Sequence, residues 1–185
     1  MQAKGRKNAN FVGDSGKEMS IIKTIEYIKA AKEKFYSYGD EWIKAYFDEE
    51  SGGFNVYHKR HLFTALGGGG DAEKIVGQML AKYSGKQIEF LPEGGKKKPD
   101  ILFDNQTWEI KKITEANEET IRTYIKNGRK ADNEIFYWEG KNDKLEMLIS
   151  AIGRSKGYFI KKKELYTMPN IYFIDHGKLK LLWSK

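Results

Sequence analysis

An α/β fold built on a mixed sheet is predicted, its core running helix, three strands, helix, strand over residues 71–138. Three observations predict it. Residues 100–103 and 107–110 are short, strand-type runs on either side of the polar turn Asp104-Asn105-Gln106. Residues 71–83 repeat apolar side chains (Ile75, Val76, Met79, Leu80, Tyr83) at helical spacing. The run 134–138 follows the amphipathic stretch 117–129 (Ile121, Tyr124 and Ile125 inward), so it enters by a crossover helix and pairs parallel.

Taken in order, residues 1–16 are rich in Gly, Lys, Asn and Ser and read as a flexible leader, or as part of a longer chain. Segment 17–66 reads as a helical N-terminal unit. One helix over 17–36 places Ile21, Ile22, Ile25, Ile28 and Phe35 on a face, and a second over 40–48 uses Trp42, Ile43, Tyr46 and Phe47. A strand at 54–57 leads into His58-Lys59-Arg60-His61. Gly67–Gly70 reads as a linker, since no Lys-Ser/Thr pair follows to make a phosphate loop. Asp71 then caps the helix that opens an α/β domain spanning 71–185. Residues 87–91 form its first strand, 99–113 a hairpin, 142–153 a helix, and 171–174 with 179–182 a C-terminal β-hairpin turning at His176-Gly177. No internal repeat is visible.

Composition narrows the function. The chain has 185 residues, no cysteine and a net charge of +7. Disulfides and thiolate metal sites are excluded, and a reducing compartment suits the chain. No apolar run spans a bilayer, and the polar N-terminus is no secretory signal. The positive charge favours polyanionic partners, nucleic acid first, although a basic surface also serves plain solubility.

The hairpin concentrates the chemistry. With a two-residue turn at Asp104-Asn105, Asp100 faces Glu109 across the strands; with the turn at Asn105-Gln106 it faces Lys111. In either register Asp100, Glu109 and Lys111 project from one face, because side chains alternate with period two. Two acids and an ammonium make a poor core and a good seat for a divalent cation beside a phosphate. Asp104, at the turn, is the one further acid on the Asp100 face, which tells against two metals. Lys96, Lys97, Lys98 and Lys112 rim this centre as phosphate contacts. His58, Lys59, Arg60 and His61 form a second basic cluster. It reads either as a nucleic-acid contact or as a histidine acid/base pair. Tyr57, Trp108, Tyr124, Tyr137 and Trp138 are candidates for base stacking, though aromatic residues in strands are mostly core.

Pro99-Asp100, eight residues, then Glu109-Ile110-Lys111 resembles the PD-(D/E)xK nuclease signature, and the αβββαβ order around it resembles that superfamily's core. Phe90-Leu91-Pro92-Glu93 and Trp108-Glu109-Ile110-Lys111 are also similar to the C-terminal toxin domains of contact-dependent growth-inhibition proteins, and to nucleases of phage and mobile elements. The resemblance covers residues 71–138. It implies that Asp100 and Glu109 bind Mg²⁺ or another divalent cation, with the Ile110 carbonyl as a further ligand. It implies that Lys111 orients the attacking water and steadies the phosphate, and that Glu73 adds an acid from the first core helix. It further implies a bacterial toxin or mobile-element nuclease that acts in a cytoplasm on RNA, tRNA included, and meets an acidic immunity protein. Related sequences are also grouped with the barnase/EndoU/colicin/RelE-like ribonucleases, which need no metal. Two alternatives follow: a metal-independent ribonuclease using His58, His61 and Lys111, and a non-catalytic nucleic-acid-binding or virion-associated module.

Overall fold

The computed structural model describes residues 25–63, 69–93, 98–113, 117–138, 144–175 and 178–185. Helix α1 (Ile25–Ser37) precedes strands β1 (Trp42–Phe47) and β2 (Phe54–His58). Helix α2 (Gly69–Ser84), strands β3 (Gln87–Phe90), β4 (Ile101–Phe103) and β5 (Gln106–Lys112), helix α3 (Glu118–Asn127) and strand β6 (Asn133–Tyr137) follow. Helix α4 (Leu145–Lys161) and strands β7 (Asn170–Asp175) and β8 (Lys178–Trp183) complete the order. The eight strands make one mixed sheet, with strand order equal to chain order. The expected α/β class therefore holds. β3, β4 and β5 are antiparallel neighbours, and β6 joins β5 in parallel through α3. The C-terminal hairpin is also present, β7 against β8, though its turn at His176-Gly177 lies outside the described residues.

Two cores cover the faces of the sheet. α2 brings Ala72, Val76 and Leu80 onto Ile88, Phe90, Ile101, Trp108, Ile110 and Ile135. α3 and α4 bring Ile121, Ile125, Leu148 and Phe159 onto Phe136, Ile171 and Phe173. Asn117 caps α3, its side chain accepting the Thr120 amide at 3.0 Å. A third cluster holds Phe35 of α1 on Phe54 and Val56.

The N-terminal unit departs from its helical expectation. Residues 42–47 form β1, antiparallel to β2, and β2 pairs parallel with β3, so this segment extends the sheet. A bulge between Lys44 and Tyr46 is the physical reason for the difference. It breaks strand alternation and leaves the apolar pairs 42–43 and 46–47 four residues apart, which imitates a helix. Gly69 and Gly70 belong to α2 rather than to a linker, while Gly67 and Gly68 lie outside the described residues, as do residues 1–24. A Cβ at Gly70 would stand 2.9 Å from that of Phe63, so the glycine permits close passage of the preceding segment. Asp71 sits in the first turn instead of at the cap, and Tyr83 and Ile25 are exposed instead of inward. α4 runs on past residue 153, because Ser155 and Phe159 continue its buried face through Gly153 and Gly157.

Two glycines test this packing in opposite directions. A Cβ at Gly53 would overlap the backbone carbonyl of Ala81, whereas one at Gly153 meets nothing within 4 Å. Gly53→Ala is expected to lower stability by about 3 kcal/mol, and Gly153→Ala to raise it by about 1 kcal/mol, in urea unfolding. A neutral Gly53→Ala would contradict the packing of α2 on β2.

Candidate active site

The hairpin turn has φ of 53° at Asp104 and 59° at Asn105. Both central residues are left-handed, as a type I′ turn requires, and Asp and Asn tolerate that region better than most side chains. The turn closes on Phe103 paired with Gln106, and Ile101 pairs with Trp108. This is the Asp104-Asn105 register. Ile101, Trp108 and Ile110 face α2, leaving Glu109 and Lys111 on the opposite face. Asp100 stands one residue before β4, where the chain leaves the ladder and its amide donates to the Trp108 carbonyl at 3.0 Å. Its carboxylate turns onto β5, and Oδ2 accepts the Ile110 amide at 2.7 Å.

Around this point the charges are dense. Lys111 donates to Glu109 Oε1. The Lys130 ammonium lies 2.8 Å from Glu109 Oε2 as an ion pair without hydrogen-bond geometry, and also donates to the Lys98 carbonyl at 2.7 Å. Glu109 is 3% exposed. In the parallel register beside it stands Glu134, fully buried, with neither carboxylate oxygen hydrogen-bonded. A Cβ at Gly128 would lie 2.6 Å from Glu134 Oε2, so the glycine backbone packs on that carboxylate.

The pKa shifts follow. Burial, then the charge of Glu109, pushes Asp100 up to about 7 against the pull of Lys111 and the Ile110 amide, with Glu73 adding to the rise. Burial first, then Glu109 and Asp100, lifts Glu134 to about 8, although Lys111 and Lys130 pull it down. Burial pulls the Lys111 pKa down, but Asp100, Glu109 and Glu134 outweigh it and hold the pKa above the ordinary value.

Of the residues expected from sequence, Asp100, Glu109 and Lys111 lie on the hairpin within reach of one another's charge, while Glu73 stands on α2 and adds to the charge felt by Asp100. The two histidines engage different partners. His58 points to Glu41 at 3.8 Å and lies edge-on to Trp42, whereas His61 is buried on Glu73. Lys59 and Arg60 are exposed, and the Arg60 carbonyl accepts the Glu93 amide at 3.1 Å, which brings this basic turn to the start of the lysine loop. Of that loop Lys98 is exposed, and Lys96 and Lys97 lie outside the described residues. Lys112 ends β5. Sequence reasoning missed Glu134 and Lys130. An acid opening a strand that is otherwise buried throughout was the available signal for Glu134.

Both Glu109 oxygens lie against ammonium groups, so a hard divalent ion, which takes oxygen ligands and retains waters, would share Glu109 with Lys111 and Lys130. Among the described residues no group of three or more His, Asp or Glu is arranged to hold a metal ion, so an ion at Asp100 and Glu109 would keep much of its hydration. No described helix is long and apolar enough to cross a membrane. No protein-family model matches the chain, nor does any curated protein or solved structure.

Glu134 sets a pH test. A carboxyl whose pKa is raised on folding stabilises the fold below its ordinary value, here 4.5, and loses that contribution as pH climbs through about 8. The difference in Tm between Glu134→Gln and the parent should shift in favour of the variant as pH rises across this window. A difference independent of pH in thermal melts would refute the buried, uncompensated carboxylate.

Proposed function

We propose that the chain is a metal-dependent nuclease of PD-(D/E)xK type that hydrolyses nucleic-acid phosphodiester bonds. One observation carries the reading: on the hairpin, Glu109 is buried and paired with Lys111, Asp100 is bonded to the intervening Ile110 amide, and all three charges act on one another. The helix–three strands–helix–strand order from α2 to β6 agrees with the superfamily core that the motif resembles.

In this reading Asp100 and Glu109 hold Mg²⁺ or a similar ion. Bound there, the ion eases ionisation of water and screens the charge that builds on the phosphate. Lys111 keeps its proton and offers one compact positive charge to the attacked phosphate or to the incoming water. Lys59, Arg60, Lys98 and Lys112 draw in the polyanion, an attraction that weakens with salt. RNA, tRNA included, is favoured over DNA, and a bacterial toxin or mobile-element role over a housekeeping one. Both preferences rest on the resemblance alone. An acidic immunity protein would complement the net charge of +7. The metal-free alternative would use His58, His61 and Lys111 together; His58 lies 3.8 Å from Glu41 and His61 3.1 Å from Glu73, so their rings pair with different acids rather than with each other.

Purified chain incubated with total tRNA and with plasmid DNA should cleave one of them in Mg²⁺ and neither in excess EDTA. Lys111→Ala should reduce kcat by about 10²-fold or more, as loss of a transition-state charge does. Cleavage that survives EDTA would overturn the metal assignment. An inert parent beside folded controls would overturn the nuclease reading.

A further inference from the structure

We propose that His61 is a positioning residue that ties Glu73 to Asp100, so that the segment following β2 forms part of the cleavage site. The inference rests on the nuclease reading for its functional half and on hydrogen bonding for its structural half. His61 Nδ1 is 2.7 Å from the Leu91 carbonyl oxygen. A carbonyl brings no proton, so Nδ1 carries one. His61 Nε2 is 3.1 Å from Glu73 Oε2. With Nδ1 protonated, a neutral ring would face an ionised carboxylate with lone pair against lone pair. One proton therefore lies between Nε2 and Oε2, in a pair whose members are 6% and 9% exposed.

The tie continues on the far side of Leu91. Its amide donates to the Asp100 carbonyl at 2.9 Å, so Glu73, His61, Leu91 and Asp100 form one hydrogen-bonded chain. The ring cannot swing away, because Phe63 and Phe90 meet it edge-on at 4.6 and 5.3 Å between centroids. Phe63 in turn passes the first turn of α2 at Gly70, three residues ahead of Glu73. The charged groups facing the ring are Glu73 from α2 and Asp100 ahead of β4. Glu73 and Asp100 repel one another. The proton on His61 is what holds the helix acid beside the hairpin acid, and leaving Glu73 buried without it would be strongly unfavourable.

Two variants divide the tie. Asn at 61 can replace the Nδ1 donor to Leu91 but cannot reach Glu73; Gln can reach Glu73 but cannot serve Leu91. The first arm is ¹⁵N NMR of the histidine rings in the full chain, which has three histidines, with His61 assigned by its loss in His61→Gln. The His61 ring should keep protons on both nitrogens to a higher pH than in Glu73→Gln, where it should become a neutral ring protonated at Nδ1 sooner as pH rises. A ring that is neutral in the parent and indifferent to Glu73→Gln would overturn the tie, whatever the chain cleaves. The second arm is cleavage kinetics on folded variants. His61→Asn should lower kcat by about 10–100-fold with little change in KM, as loss of a group that orients a site residue does. Activity lost only in proportion to folded protein would reduce His61 to a structural residue. A parent that cleaves nothing would sink the nuclease reading and the functional half of this proposal, while the NMR arm still decides the tie.

Discussion

The register of the β4–β5 hairpin is the constraint on which the rest of the molecule depends. With Phe103 opposite Gln106, Trp108 and Ile110 fall into the core under α2, and Glu109 and Lys111 fall on the other face. A slip of one residue would drive two charges into that core and expose a tryptophan and an isoleucine. Burial of Trp108 and Ile110 and the left-handed turn at Asp104-Asn105 enforce the same pairing, one from tertiary packing and one from local backbone preference. Lys86, 2.7 Å from Asp104, adds a minor ion pair at the turn. The core and the turn thus set where Asp100, Glu109 and Lys111 stand, and the Asp100 bond to the Ile110 amide and the Glu109 ion pairs add to that placement.

Those groups work against the fold. Asp100, Glu109 and Glu134 share a space with Lys111 and Lys130, and both Asp100 and Glu134 are pushed toward their neutral forms. Taking several charges out of water is unfavourable unless every lone pair and proton is answered, and the oxygens of Glu134 are not. The core on either side, from Trp108 to α2 and from Phe136 to α3 and α4, sustains this penalty. Such local conflict with otherwise consistent packing is what a site under functional demand looks like.

The hairpin and its acids were legible in the sequence because every signal there is local: a turn of two residues, alternation by two, and a short spacing between Asp100 and Glu109. Segment α2 to β6 was legible for the same reason, each element announcing its own period. Legibility failed where an outcome depended on partners. β1 looked helical because a bulge, visible only against β2, reset its alternation. Glu134 went unnoticed because the parallel register that sets it beside Glu109 depends on how α3 packs. His61 looked like half of a surface pair, because its true partners, Glu73 and the Leu91 carbonyl, are 12 and 30 residues away. The acids of the hairpin can be found by reading, whereas the groups they contact required the fold.

Chain order and sheet order coincide through all eight strands. Each ladder therefore closes over a loop or over a crossover with one α-helix, and no strand must wait for a distant one to be inserted between its neighbours. The antiparallel ladders close over short connections at small entropic cost, whereas the three parallel ladders must each wait for a crossover helix. Assembly can advance from one edge to the other as a zipper, with every strand offering a template for the next.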